Sequence, residues 1–425
     1  ATNKEYAFPY PKKFPLYKVP NIKTPPNKDN VIILALESVR SSEMGIYGAK
    51  NSATPFLDSL SKEASVFLNN YSTTTFTAKS ELAIHCSMLD FISGGSISSR
   101  KLAIQKKCLP SLLKEHNYET YWFHGNNKEF YDRDSFLPNM GITHLFGMKE
   151  INTDENPKII GWGLADITVF EHAFKVLSNS KTPFYAEILS VSNHTPFNFD
   201  WGIDIPSAID ISTSAYFNDY RHGMYYTDYA VSQFFKAFKN SDLAKNTHVI
   251  ITGDHGIWTF DKSDTLSPIT KNEQFYRVPL IIWSPNKKGA AYKTSTSHLD
   301  IAPTIMDLLK FKTENSFSGS SLLAISELPV HRTIYSMSNH RYSYRSNNKV
   351  CIPMNSCPAG KRECSMKNIK RSSLNQQYDM LCAPLNRTQN LQGITQSDTF
   401  GSSANKRRTL LDYLQFSLLF PSEPL

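Results

Sequence analysis

Two stretches of the chain share one pattern. Val31–Leu36 is an unbroken apolar run, preceded by polar NKDN and followed at once by Glu37, Ser38 and Arg40. Such a run, rich in Val and Ile and bounded by polar residues, predicts a central strand buried on both faces. THVIITGDHGIW (Thr247–Trp258) repeats it, with apolar Val249–Ile251 leading to Asp254 and His255. TYWFHGN and FYAEILSV (Phe184–Val191) read as further strands whose exits carry His124 and His194, and RVPLIIWSP reads as another. Helical patterns fall between them. FLDSLSKEA starts behind Thr54 as N-cap and Pro55 at the first helical position. Glu81–Leu89, Leu109–His116, Ala165–Leu177 and Tyr216–Asn240 follow, and then the stretch after SHLD, with Pro303 in its first turn. Asn127–Met140, aromatic and polar, predicts a loop over a site. Strands alternating with helices argue for an α/β fold, a mostly parallel central sheet with helices on both faces.

Beyond Ser326 the pattern weakens. TIYSMSNHRYSYRSNNKVC predicts two or three short strands, QSDTFGSSANKRR a loop, and Arg408–Phe420 a closing helix. The expected organisation is an extended strap over residues 1–30, a main domain over 31–325 and a smaller, Cys-rich α+β subdomain over 326–425. The strap is rich in Pro, Lys and aromatic residues and reads as a linker from a preceding membrane region. No apolar run approaches the roughly 20 residues of a membrane span.

At 425 residues and 40% hydrophobic, the chain can bury a large core. Its formal net charge is +8, with basic residues concentrated late, among them Lys361, Arg362, Lys406, Arg407 and Arg408. With no nucleic-acid motif, that balance favours an anionic substrate or membrane surface. The six cysteines are Cys86, Cys108, Cys351, Cys357, Cys364 and Cys382. An even number suits disulfides in an oxidising compartment, with Cys86–Cys108 and two bridges among the last four as the expected pairing. The late spacing, C-x5-C-x6-C-x17-C, does not match common zinc patterns.

A wound sheet gathers strand exits along one edge. Glu37, Asp254 and His255 would meet there, with a hydroxyl from Ser72–Ser80, where hydroxyls crowd the entrance of a helix. Two carboxylates, an imidazole and a hydroxyl suit one divalent ion, Mn²⁺, Zn²⁺ or Mg²⁺, and disfavour soft metals. The ion would activate the hydroxyl as a nucleophile. His124, Arg133 and His194 would contact substrate oxygens.

These residues carry a resemblance. LESVR (Leu36–Arg40), FHGNNKEFYDR (Phe123–Arg133), SNHTPF (Ser192–Phe197), GDHG (Gly253–Gly256) and SHLDIAPTIMDLL (Ser297–Leu309) together resemble lipoteichoic acid synthase and related phosphoglycerol transferases of the alkaline phosphatase and sulfatase superfamily. The resemblance implies a sulfatase-like catalytic domain with Glu37, Asp254 and His255 as ligands of a manganese ion. The family nucleophile follows a Lys. Ala78-Lys79-Ser80 matches, so Ser80 would attack phosphorus and also touch the metal, with Thr77 as the alternative. Tyr131 stands at the family's Trp position, while Arg133 and His194 stand at its substrate positions. Lys79 and His298 are further expected contacts, His298 standing where relatives often carry Gln. The sulfatase reaction is disfavoured, because the C/S-x-P-x-R signature is absent after Ser80. A phosphoethanolamine transferase and a phosphodiesterase remain as alternatives. The expectation is transfer of glycerophosphate from a phosphatidylglycerol-type lipid to a glycan or glycolipid hydroxyl on the periplasmic or extracytoplasmic face of a bacterial membrane. An osmoregulated glucan is the expected acceptor.

Overall fold

The computed structural model describes residues 25–90, 107–151, 156–260, 266–324, 332–338, 341–346, 349–353 and 380–384. The expected strap over residues 1–30 lies mostly outside them, as do the loop before Arg408 and the closing helix at Arg408–Phe420.

The first strand, β1 (Asn30–Leu36), is fully buried. After α1 (Pro55–Leu60) come β2 (Ser65–Tyr71), α2 (Thr77–Cys86), α3 (Leu109–Lys114), β3 (Glu119–His124), α4 (Arg133–Met140), β4 (His144–Phe146) and α5 (Met148–Ile151). A two-stranded hairpin, β5 (Ile159–Ile160) and β6 (Gly163–Leu164), leads to α6 (Asp166–Ser178) and β7 (Phe184–Leu189). The long α7 (Ala215–Lys239), β8 (Thr247–Gly253), α8 (Pro268–Tyr276), β9 (Leu280–Trp283), β10 (Ala290–Ser297) and α9 (Ile301–Leu308) complete the main body. Its sheet has the order β10-β2-β9-β8-β1-β7-β3-β4. All neighbours pair in parallel except at β9, which runs against both β8 and β2.

Alternate residues of β1 feed the two layers. Val31, Ile33 and Ala35 pack with residues of α2, α3, α4 and α9. Ile32, Leu34 and Leu36 pack with residues of α1, α6 and α7. This two-sided burial is why β1 reads as a continuous apolar run rather than an alternating one.

A second, antiparallel sheet has the order β11-β12-β13-β14, from β11 (Ile334–Ser338), β12 (Arg341–Ser346), β13 (Lys349–Pro353) and β14 (Met380–Pro384). It is stitched to the main body next to α2. Met337 N donates to Thr73 O at 2.8 Å, Ser336 Oγ to Ser72 O at 2.7 Å, and buried Arg345 Nε to Glu273 at 2.6 Å.

Several expected elements shift. The helix expected at Glu81–Leu89 starts four residues earlier, at Thr77. The segment expected to be a loop, Asn127–Met140, holds a short turn of helix at Phe130–Asp132 and then α4. Thr54 makes no capping bond to α1; Asp228 on α7 accepts instead from Phe56 N and Leu57 N, both at 2.8 Å. A bridge joins Cys86 to Cys108. Cys351 stands opposite Cys382 in the β13–β14 register. The two bridges expected among the last four cysteines involve side chains outside the described residues. Among the described residues, no helix is long and apolar enough to cross a membrane.

Candidate active site

β1 and β8 run side by side in register, so that Leu36 lies opposite Gly253. Their next residues, Glu37 and Asp254, therefore leave the sheet together. Gly253 admits no side chain, because a Cβ there would strike Val39 O. Ser38 adopts a left-handed conformation, φ 57°, which costs energy in a non-glycine residue. It turns the chain so that Ser38 N donates to Asp254 Oδ1 at 2.9 Å and Ser38 Oγ to Glu37 Oε1 at 2.7 Å. Ser190 Oγ accepts from Glu37 N at 2.8 Å, and Asn193 Nδ2 donates to Glu37 O at 3.2 Å. The loop after β7 thus holds the glutamate from the other side.

Glu37, Asp254 and His255 each offer a ligand atom, and the three atoms lie within 4.8 Å of one another. His255 Nδ1 is 2.9 Å from the Gly256 carbonyl. A carbonyl only accepts, so Nδ1 carries the proton and Nε2 faces the carboxylates. That nitrogen is 3.4 Å from Asp254 Oδ2 and 3.8 Å from Glu37 Oε1. Asp254 Oδ2 is buried and has no hydrogen-bond partner. Burial and the Glu37 charge raise the Asp254 carboxyl well above its usual range. Burial opposes ionisation of Glu37 as well, but the charges of His255 and His194 and the hydrogen bonds of Ser38 and Asp254 together lower its pKa. An unpartnered carboxylate oxygen facing a second carboxylate is relieved by a cation, and this donor set of oxygen and imidazole nitrogen fits a divalent ion.

The hydroxyl at this cluster belongs to Thr77. Its Oγ1 is 3.3 Å from Glu37 Oε2 and 3.4 Å from His255 Nε2, at the first position of α2. Ser80 does not reach the cluster. It lies one turn further in, buried, with Oγ donating to the Asp254 carbonyl at 2.5 Å. The expectation for Ser80 rested on its place after Lys79, ahead of a helix expected from Glu81; with α2 beginning at Thr77, Ser80 lies inside the helix and supports the Asp254 backbone. Lys79 is half-buried two residues after Thr77, about 200° round the helix from it.

The remaining expected residues divide. His124 ends β3, and its Nδ1 donates to Leu189 O at 3.0 Å. Burial, then the Arg133 charge, pushes its pKa down to about 3, so its ring is neutral and Nε2 keeps a lone pair. His194 is half-buried, with Nδ1 2.9 Å from Thr195 O and close enough to Glu37 to lower its pKa. Arg133 is 2% exposed, its Nε 3.0 and 2.9 Å from the two oxygens of Glu81 and its guanidinium carbon 5.5 Å from the Tyr131 ring. Tyr131 is half-buried with φ 62° and packs edge-on against Phe76, centroids 4.9 Å apart. His298 meets the backbone of β8. It is fully buried behind β8, where Nε2 donates to Gly253 O at 2.9 Å.

An aromatic arc went unforeseen. Ring centroids step from Phe76 to Tyr131 (4.9 Å), Phe130 (4.3 Å), Trp162 (6.1 Å) and His194 (4.1 Å). Trp162 sits at the tip of the β5–β6 hairpin and is 46% exposed. Gly163 lets the hairpin press on the Gly125 carbonyl, and Leu164 N donates to that oxygen at 2.9 Å. The signal in the sequence was G-W-G, a large ring between two glycines.

A mostly parallel sheet that delivers two carboxylates, an imidazole and a helix-terminal hydroxyl to one edge defines an alkaline phosphatase-type site. The chain belongs to the sulfatase family, whose model matches residues 29–311. It is 28% identical over 343 residues to the lipoteichoic acid synthase-like YvgJ of Bacillus subtilis, covering 77% of this chain and 54% of that protein. It is 30% identical to lipoteichoic acid synthase 2 of the same organism (69% and 47% covered) and 26% identical to lipoteichoic acid synthase of Staphylococcus aureus (68% and 46% covered). The chain thus spans about half the length of these relatives. The crystal structure of lipoteichoic acid synthase LtaP from Listeria monocytogenes superposes with a TM-score of 0.69 at 23% identity, covering 92% of this chain and 91% of that one. An alkaline phosphatase superfamily protein from Vibrio parahaemolyticus gives 0.69 at 20%, covering 97% and 91%. The resemblance read from the motifs holds, and so does the fold class. The relatives' names speak of lipoteichoic acid, and nothing among them supports an osmoregulated glucan as acceptor.

Proposed function

We propose that the protein is a metal-dependent phosphoglycerol transferase working through a covalent Thr77 intermediate. The observation that carries the reading is the position of Thr77 Oγ1, within 3.4 Å of both Glu37 and His255 at the N-terminus of α2. The names of the relatives supply the head group. Glu37, Thr77, Asp254 and His255 would hold one divalent cation, Mn²⁺ by analogy, which when bound supplies Lewis-acid activation of the hydroxyl and charge neutralisation at phosphorus.

Thr77 Oγ1 attacks the phosphorus of a phosphatidylglycerol-type donor. The bond from phosphorus to the diacylglycerol oxygen breaks, and diacylglycerol leaves with the proton that Thr77 gives up. The N-terminus of α2 stabilises the negative phosphoryl group. His124 Nε2 accepts a hydrogen bond from a glycerol hydroxyl, while Arg133 and His194 bind phosphoryl oxygens. A glycolipid hydroxyl then attacks the phosphothreonine and restores Thr77. The Cys86–Cys108 bridge supports an extracytoplasmic site at a bacterial membrane.

The test is intact-protein mass after incubation with Mn²⁺ and phosphatidylglycerol. Parent protein and Ser80→Ala should both gain a glycerophosphate-sized adduct, and Thr77→Ala should gain none. An adduct retained in Thr77→Ala but lost in Ser80→Ala would restore Ser80 as nucleophile. An adduct formed only from phosphatidylethanolamine would keep the mechanism and overturn the head group.

A further inference from the structure

The helix that carries the proposed nucleophile has a polar stripe where a buried helix is ordinarily apolar. Thr77, Glu81 and His85 stand four residues apart and so share one face of α2. Each meets a different part of the fold. Thr77 reaches the exits of β1 and β8. Glu81, 1% exposed, accepts from Arg133 Nε and, at 3.2 Å, from Trp122 Nε1 on β3. His85, fully buried, lies 2.8 Å from Glu187 Oε2 on β7 and 2.6 Å from the Tyr185 hydroxyl. Two carboxylates, an imidazole and a guanidinium in one core are costly, and an apolar stripe of similar volume would stabilise the fold at least as well. None of Glu81, His85 and Glu187 touches the metal-ligand cluster or has a part in the proposed chemistry.

The arrangement confers direction. Glu81 grips Arg133 by its inner nitrogen, Nε. The guanidinium lies 5.6 Å from the Trp122 ring and 5.5 Å from the Tyr131 ring. Nη1 reaches Phe130 O at 3.4 Å, and Nη2 has no hydrogen-bond partner among the described residues. One helical turn separates Glu81 from Thr77, about 6 Å of rise.

Resting on the phosphoryl-transfer reading above, we propose that Glu81 is a positioning residue for the substrate phosphate. It holds the Arg133 guanidinium with Nη2 turned toward a phosphoryl oxygen, and α2 acts as the ruler that spaces this cation from the Thr77 hydroxyl. His85 and Glu187 lock the far end of the ruler to β7.

The test titrates sn-glycerol 1-phosphate, and separately Mn²⁺, into the parent protein, Glu81→Gln, Arg133→Met and the double variant by calorimetry. Glu81→Gln and Arg133→Met should each weaken glycerol phosphate binding by about tenfold or more, the worth of a charge-assisted hydrogen bond. The double variant should bind no more weakly than Arg133→Met, because both changes remove one interaction. Mn²⁺ affinity should stay at the parent value throughout. Glu81→Asp keeps the charge but shortens the arm by a methylene, and should show the same selective loss even if Glu81→Gln folds poorly. If the Glu81 variants bind glycerol phosphate like the parent while Arg133→Met is weakened, or if the two effects add, the positioning role is overturned and the phosphate-binding reading of Arg133 survives. If Mn²⁺ affinity falls along with glycerol phosphate affinity, Glu81 is merely structural. If Arg133→Met binds like the parent, the positioning role falls together with the phosphate contact assigned to Arg133.

Discussion

His124 shows how one residue's surroundings choose its chemistry. It sits at the end of β3 with Nδ1 donating to Leu189 O, and burial, then Arg133, pushes its pKa down to about 3. In the unfolded chain the same imidazole titrates near 6.5. Between those values the unfolded state binds a proton that the folded state refuses. Stability contributed by neutral His124 is therefore complete above about pH 6.5 and is lost as pH falls toward 3, at up to about 1.4 kcal/mol per pH unit. His124→Gln should flatten the decline of Tm between pH 6 and 4, and thermal melts of the two proteins across that range check it. The sequence named this histidine by its place after an apolar run, and named Glu37, Asp254 and His255 in the same way. Among the several hydroxyls of Ser72–Ser80 it put Ser80 first, for its place after Lys79, and Thr77 second. Only the helix phase separates Thr77 Oγ1, at the cluster, from Ser80 Oγ on the Asp254 carbonyl. That phase depends on where α2 begins, a boundary that local pattern sets poorly.

At the scale of elements, α1 has only six residues and cannot stand alone. The N–H groups of Phe56 and Leu57 in its first turn are held by Asp228, a carboxylate reaching across from α7. Local reading assigned the cap to Thr54, because propensity knows only neighbours in sequence; the partner is 172 residues from Phe56. Asp228→Ala should destabilise the fold by about 1–2 kcal/mol, the cost of losing an N-cap, whereas Thr54→Ala, which removes no capping bond, should cost less. Urea unfolding of both variants tests the assignment. The same limit explains β2 and β10. Central strands such as β1 and β8 announce themselves as apolar runs, but β10 at the sheet edge reads AAYKTSTS, half exposed and polar. What identifies it is pairing with β2, which no local pattern encodes. The β5–β6 hairpin is shorter still, and only its glycines hint at the close approach that raises Trp162 beside His194.

Across the whole molecule, the site is where separate layers meet. Glu37 comes from the end of β1, Asp254 and His255 from the end of β8, and Thr77 from a helix whose other end is tied through Cys86 to Cys108. The second sheet leans on the same place, with Ser336 and Met337 bonded to Ser72 and Thr73 just ahead of α2. These elements are brought together by the core on both faces of β1, yet at their meeting point two buried carboxylates repel, with Asp254 Oδ2 unpartnered. The fold thus spends stability to build the site, and a bound cation returns it. Binding to the native state alone stabilises by RT ln(1 + [L]/Kd), about 2.7 kcal/mol at a hundredfold excess over Kd. Mn²⁺ should therefore raise Tm in proportion to the logarithm of its concentration, and EDTA should reverse the gain. Asp254→Asn removes one of the two opposed charges, so this variant should melt no lower than the parent without metal and should lose most of the Mn²⁺-dependent rise. If parent and variant respond equally to Mn²⁺, the ion is binding elsewhere and the Glu37–Asp254–His255 cluster is not its site.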